Sequence, residues 1–205
     1  MTNRTLAWHF VSTTLRDGSP IPKDGEWLIF KGKCVMCQSG LHASRNPFDA
    51  LQYAPGNTLC LVEVDGIEAG QDDKLVCRRR KIIARMDARE LCRYFARMQA
   101  LSVIHLWDAP DVVLDYLMTG DEVIRQAAQG AARDAWTAQG AARSAAYAAR
   151  SAWASVVTAY AAQGAARSAW AAAVALDNAW AAGDSLAAAK NEFTQLVYEC
   201  FEDYL

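Results

Sequence analysis

Leu59-Cys60-Leu61-Val62-Glu63-Val64-Asp65-Gly66 is a run of aliphatic and β-branched residues closed by an Asp-Gly turn signal, and it commits the first half of the chain to a β-sheet. A second run, Val76 to Met86, reads as another strand with Ile82 and Ile83 in its buried half. Upstream, Leu6 to Ser12 and Trp27 to Phe30 are shorter strands, bounded by Asp17-Gly18-Ser19-Pro20 and Lys23-Asp24-Gly25. Between the sheet segments, Asn46-Pro47 opens a short helix, Phe48 to Tyr53, which Pro55-Gly56 ends.

Helices follow the strands. Asp87 and Glu90 form a capping-box pair before a helix with Leu91, Tyr94, Phe95, Met98 and Leu101 on one stripe and Arg89, Arg93 and Arg97 on another. Pro110 opens a second helix, Asp111 to Met118, which Gly120 stops, and Thr119 with Glu122 starts the next. The expected fold class is α+β: a small mixed or antiparallel sheet domain over 1–107, a helical connector over 108–125 and an alanine-rich helical region over 126–205.

That last region repeats itself, as in Gln129-Gly130-Ala131-Ala132-Arg133-Asp134-Ala135-Trp136 and Gln163-Gly164-Ala165-Ala166-Arg167-Ser168-Ala169-Trp170. Alanine and arginine are strong helix formers, so helices broken near Gly130, Gly140, Gly164 and Gly183 are expected. A β-solenoid on an Ala-x-Gly period competes, against the low β propensity of alanine. Small residues let helices approach closely, folded back as hairpins or paired with a second chain, and the indoles of Trp136, Trp153 and Trp170 would fill the gaps. Arg133, Arg150 and Arg167 each precede one of these tryptophans by three residues, so the pairs stack on a helix and are candidate partner-binding anchors.

The chain has 205 residues and a formal net charge of -2, so no global field draws in nucleic acid or an anionic membrane. The N-terminus lacks an apolar signal core, and arginines interrupt the alanine tract, so a cytoplasmic protein without membrane spans is expected. The six cysteines then read as reduced thiols. Cys34 and Cys37 have zinc-knuckle spacing with His42 close behind, but no second ligand pair follows, so no metal is expected.

Cys37-Gln38-Ser39-Gly40-Leu41-His42-Ala43-Ser44, Tyr53-Ala54-Pro55-Gly56, Asp72-Asp73-Lys74, Val103 to Pro110 and Thr119-Gly120-Asp121-Glu122 resemble a domain of unknown function found in phages, prophages and some bacteria. In that family the domain is commonly followed by a repeat tail, which this chain matches in style. The resemblance implies a mobile genetic element expressed in a bacterial cytoplasm, where accessory proteins act on host machinery or on defence systems, CRISPR among them.

Three function classes follow. First is a non-enzymatic protein, needing no cofactor, that occludes a host or defence-system protein complex through its tail or self-associates through it. Second, the element order is similar to that of ADP-ribosyltransferase folds, which implies His9, His42 and Glu63 around a nicotinamide dinucleotide; yet Phe10 follows His9 where those enzymes carry glycine, and Glu63-Val64-Asp65 reverses their acidic motif. Against this, His42 donating to a backbone carbonyl would simply fix the turn before Pro47. Third is a nucleic-acid binder using Arg78, Arg80, Arg85, Arg89, Arg93 and Arg97, although strand alternation sends Arg78 and Arg80 to one face and Arg79 and Lys81 to the other.

Overall fold

The computed structural model describes residues 4–106, 108–135, 171–172 and 181–205. It is α+β, an antiparallel sheet followed by helices. Contacts divide the chain into two compact units, residues 1–88 with 193–205, and residues 89–192. The boundaries at 107 and 125 drawn from composition fall inside the second unit.

The first unit is built on two long strands, β4 (Thr58–Gly70) and β5 (Leu75–Asp87). They pair antiparallel from Thr58↔Asp87 to Gly70↔Leu75, with register shifts at Leu61/Val62 and Ile67/Ala69. Such shifts add twist and bend a long ribbon. β1 (Thr5–Val11) flanks β4, and β2 (Trp27–Ile29) flanks one part of β5. The Leu41-His42-Ala43 segment, which carries no strand signal in the sequence, is a strand: β3 (Leu41–Ala43) pairs with β5 through Leu41↔Cys77 and Ala43↔Leu75.

One bridge closes the ladder. Trp8 N–H donates to the Ser44 carbonyl at 2.7 Å and Ser44 N–H to the Trp8 carbonyl at 2.8 Å, so β1, β4, β5 and β3 curl into a half-barrel. Its inner face packs Ala7, Val11, Ala43, Cys60, Val62, Val64, Leu75, Cys77 and Ile82, with Leu15 and Ile21 of the β1–β2 connection laid against them. On the outer face, Phe10, Leu59 and Leu61 are buried, and Trp8 meets the end of the C-terminal helix (Ala181–Cys200), 6.0 Å from the Tyr198 ring and 5.1 Å from Phe201. The short helix α1 (Pro47–Leu51) is capped by Asn46, whose carboxamide accepts from Phe48 N–H at 2.8 Å and donates to Thr194 Oγ1 at 2.9 Å.

In the second unit, α2 (Arg89–Leu101) buries Cys92, Phe95, Ala96, Gln99 and Ala100 and exposes Tyr94. The buried stripe is therefore rotated from the expected one, because small side chains allow close approach whereas Tyr94 is too large for a tight contact. α3 (Asp111–Thr119) ends at Gly120 and packs against both α2 and α4 (Arg125–Ala135). Ala128, Ala132, Ala171, Ala172 and Ala189 are all buried. No helix among the described residues is long and apolar enough to cross a membrane.

Candidate functional site

The closure of the half-barrel gathers the polar groups of its inner face. His9 lies opposite Cys60 on β4, and Arg80 lies opposite Val64, so both project to the side on which Val62 and Ile82 are buried. Arg80 is only 7% exposed, and its guanidinium donates to the His42 carbonyl on β3. Among the described residues it has no carboxylate partner. Burial pulls the Arg80 pKa down to about 10, the Cys77 and Cys60 thiols acting weakly the other way.

Both histidines feel that cation. Burial holds the His9 pKa well below the usual imidazole value, and Arg80 and His42 depress it further. The His42 pKa is lowered first by burial and then by Arg80, Lys74 and Arg16, against a hydrogen bond with the Gly40 backbone that raises it. His42 Nε2 accepts the Cys37 N–H at 3.0 Å. Its ring therefore fixes the loop that carries Cys37, a non-glycine residue at φ 64.

The motif residues quoted around this loop also lock together. Tyr53 O–H donates to Asp73, and Lys74 donates to Tyr53 Oη at 3.1 Å while lying 4.6 Å from the centre of its ring. Lys74 also hydrogen-bonds the Cys37 side chain, which with Tyr53 raises its pKa. Cys34 Sγ donates to the Cys77 carbonyl at 3.7 Å, and burial raises the Cys77 pKa to about 11, leaving a neutral thiol. Among the described residues no three or more His, Cys, Asp or Glu side chains converge to hold a metal ion, so Cys34, Cys37 and His42 form no such group.

Glu63 is elsewhere. The register Leu6↔Glu63 against His9↔Cys60 places it on the opposite face of the sheet from His9. There it pairs with Lys81 at 2.8 Å and Arg4 at 3.2 Å, contacts that lower its pKa. The charged group near the two histidines is the Arg80 guanidinium. A guanidinium binds anions and cannot act as a general base.

Most of the basic run is neutralised on the surface: Arg78 pairs with Glu68, Arg79 with Asp65 at 2.9 Å, Arg85 with Asp24 and Arg93 with Glu90 at 2.6 Å. Arg89 lies at the start of α2, and Arg97 reaches over Gly120. On the outer face, Trp27 is covered by Arg79 at 4.4 Å and Lys81 at 4.5 Å, beside exposed Ile29. Of the tail anchors, Arg133 falls in α4 with its side chain outside the described residues, and Trp136, Arg150, Trp153, Arg167 and Trp170 lie outside them altogether.

A domain of unknown function, DUF7666, covers residues 5–94. The whole half-barrel and the His9, His42 and Arg80 cluster fall within the match, while the resembling segments at Val103–Pro110 and Thr119–Glu122 lie beyond it. No curated protein and no solved structure matches the chain.

Proposed function

We propose that the chain is a non-enzymatic accessory protein of phage or prophage origin that docks on a host or defence-system protein complex in the bacterial cytoplasm and blocks it sterically. The observation that carries this reading is the outer-face patch of β2 and β5. Trp27 is clamped between Arg79 and Lys81, each cation is also held by a carboxylate, and Ile29 is 55% exposed beside them. Tryptophan and arginine dominate interface energetics, and side chains already held in place lose little entropy on docking.

The charge pattern favours a protein partner. On that face Arg79 pairs with Asp65 while Arg4 and Lys81 share Glu63, so each cation has a carboxylate contact, whereas nucleic acid calls for uncompensated cations. Binding is also supported over the transferase alternative by the register that puts Glu63 on the opposite sheet face from His9. In this reading the Arg133–Trp136, Arg150–Trp153 and Arg167–Trp170 pairs form a second contact surface or a seam between copies.

The test is co-purification after crosslinking in bacterial cells. It compares the full-length chain with a Trp27→Ala/Arg79→Ala variant and a Trp153→Ala/Trp170→Ala variant. Loss of a specific complex from the first variant supports the patch. Identical recovery by all three chains would end this proposal.

A further inference from the structure

We propose that the inner mouth of the half-barrel is a binding site for the phosphate group of a small-molecule ligand, with Arg80 as its floor and His9, His42 and Arg16 around it. This site lies on the opposite sheet face from the Trp27 patch, so it stands or falls independently of the partner reading.

Four observations converge. Arg80 is a buried guanidinium on a wall of Val64 and Ile82, and its hydrogen bond to the His42 carbonyl occupies one of five N–H donors. A buried cation without an anionic partner carries an unreturned desolvation cost, which an incoming oxyanion would offset. The ladder closure at Trp8↔Ser44 fixes His42 across from β1, His42 gives its carbonyl to the guanidinium, His9 feels both groups, and neither histidine is fully buried as a residue. Arg16, on the connection whose Leu15 and Ile21 cover the inner core, is exposed, has no ion-pair partner among the described residues, and acts electrostatically on His42 together with Lys74. No carboxylate contributes to the electrostatics of His9, His42 or Arg80.

A phosphate suits this set chemically. Its oxygens accept the planar fork of a guanidinium, and a neutral imidazole adds one N–H donor. His42 is committed through Nε2 to the Cys37 N–H, so its part is to position the loop and present its carbonyl to Arg80. His9 and Arg16 are the groups left to touch the ligand.

The experiment is a titration of the full-length protein at low salt with inorganic phosphate, ribose 5-phosphate and ADP in separate arms. It is followed by imidazole NMR signals and by calorimetry. Saturable binding with movement of the His9 signals is expected. At least a tenfold loss of affinity is expected in Arg80→Met and a smaller loss in His9→Asn and Arg16→Ala. Binding by inorganic phosphate alone would mark a simple anion site, whereas tighter binding of ribose 5-phosphate or ADP would show that the sugar or base is also read. Absence of a saturable response in the wild-type protein in all three arms would overturn the proposal. So would full retention of affinity in both Arg80→Met and His9→Asn.

Discussion

The guanidinium of Arg80 on β5 donates to the carbonyl of His42 on β3, tying two strands of the half-barrel through a charge that has no acidic partner among the described residues. Stability alone does not explain such a residue. A methionine of similar length among Val64, Ile82 and the neutral Cys60 and Cys77 thiols would lose one hydrogen bond and also the desolvation cost of a cation. Arg80→Met is expected to leave unfolding stability within about 1 kcal/mol of wild type or to raise it. A urea titration checks this, and a loss beyond about 3 kcal/mol, the scale of breaking a compensated buried pair, would make Arg80 a structural residue after all.

The two histidines make stability depend on pH with a definite sign. Their pKa values are lowered in the folded protein, so the unfolded chain binds protons first as pH falls. Stability is then fully present above the unfolded value of about 6.5 and is lost as pH drops from there toward the lowered folded values. The decline can reach about 1.4 kcal/mol per pH unit for the buried His9, and less for His42, whose greater exposure to solvent screens its shift. Urea midpoints measured between pH 7.5 and pH 5 should fall in wild type and fall less in His9→Asn. A flat wild-type profile would contradict the burial argument.

Gly40 shows why the motif around His42 has its spelling. Its φ is +107, and an added Cβ would lie 2.6 Å from Val76 Cγ2 and 3.1 Å from Cys34 Sγ. Both the backbone and the space demand glycine where the 34–39 loop turns into β3. Gly40→Ala is expected to cost about 2 kcal/mol or more and to loosen the Cys37–His42 contact, seen as faster amide exchange at Cys37. Unchanged exchange and an unchanged melting curve would show that the loop carries no such constraint.

Where the signal was local, the sequence was readable. Alternating aliphatics marked β4 and β5, Asn46-Pro47 marked α1, and Gly120 marked the end of α3 in the left-handed conformation. β3 escaped because three residues have no period, and it exists through pairing with β5 and the Trp8–Ser44 bridge, contacts distant in sequence. Arg80 was hidden in a basic run. Strand alternation already separates it from Arg79 and Lys81, and the apolar Val62, Val64 and Ile82 on its side are the signal that it turns inward. Glu63 looked available for chemistry because sequence spacing does not reveal which sheet face a residue meets.

Glu63 separates the enzyme reading from the binding one. Its carboxylate is held by Lys81 and Arg4 on the sheet face away from His9. Labelled nicotinamide dinucleotide is expected to give no transfer with wild-type protein. Glu63→Gln should cost about 0.5–1 kcal/mol of stability, the scale of partly exposed ion pairs. Transfer by wild type that disappears in both Glu63→Gln and His42→Ala would restore the transferase reading.

In the helical unit, Tyr116 and Gly120 present opposite cases of the same crowding. Tyr116 is 2% exposed and its hydroxyl has no hydrogen-bond partner among the described residues; burial, with Glu122 next, raises its pKa to about 12 against Arg97, Arg125 and Arg93. Removing an unsatisfied hydroxyl relieves a desolvation cost, so Tyr116→Phe should be neutral or stabilising by about 1 kcal/mol. Gly120 is the reverse. It caps α3 at φ +71, and a Cβ there would fall 1.6 Å from Arg97 Nη1, whose guanidinium sits at the negative end of the α3 dipole. Gly120→Ala is expected to destabilise by about 1 kcal/mol or more, partly from the backbone and partly by displacing Arg97. A double-mutant cycle divides the two: in an Arg97→Ala background the Gly120→Ala cost should shrink to the backbone part. Equal costs in both backgrounds would mean that the Arg97 guanidinium does not rest over Gly120 in solution.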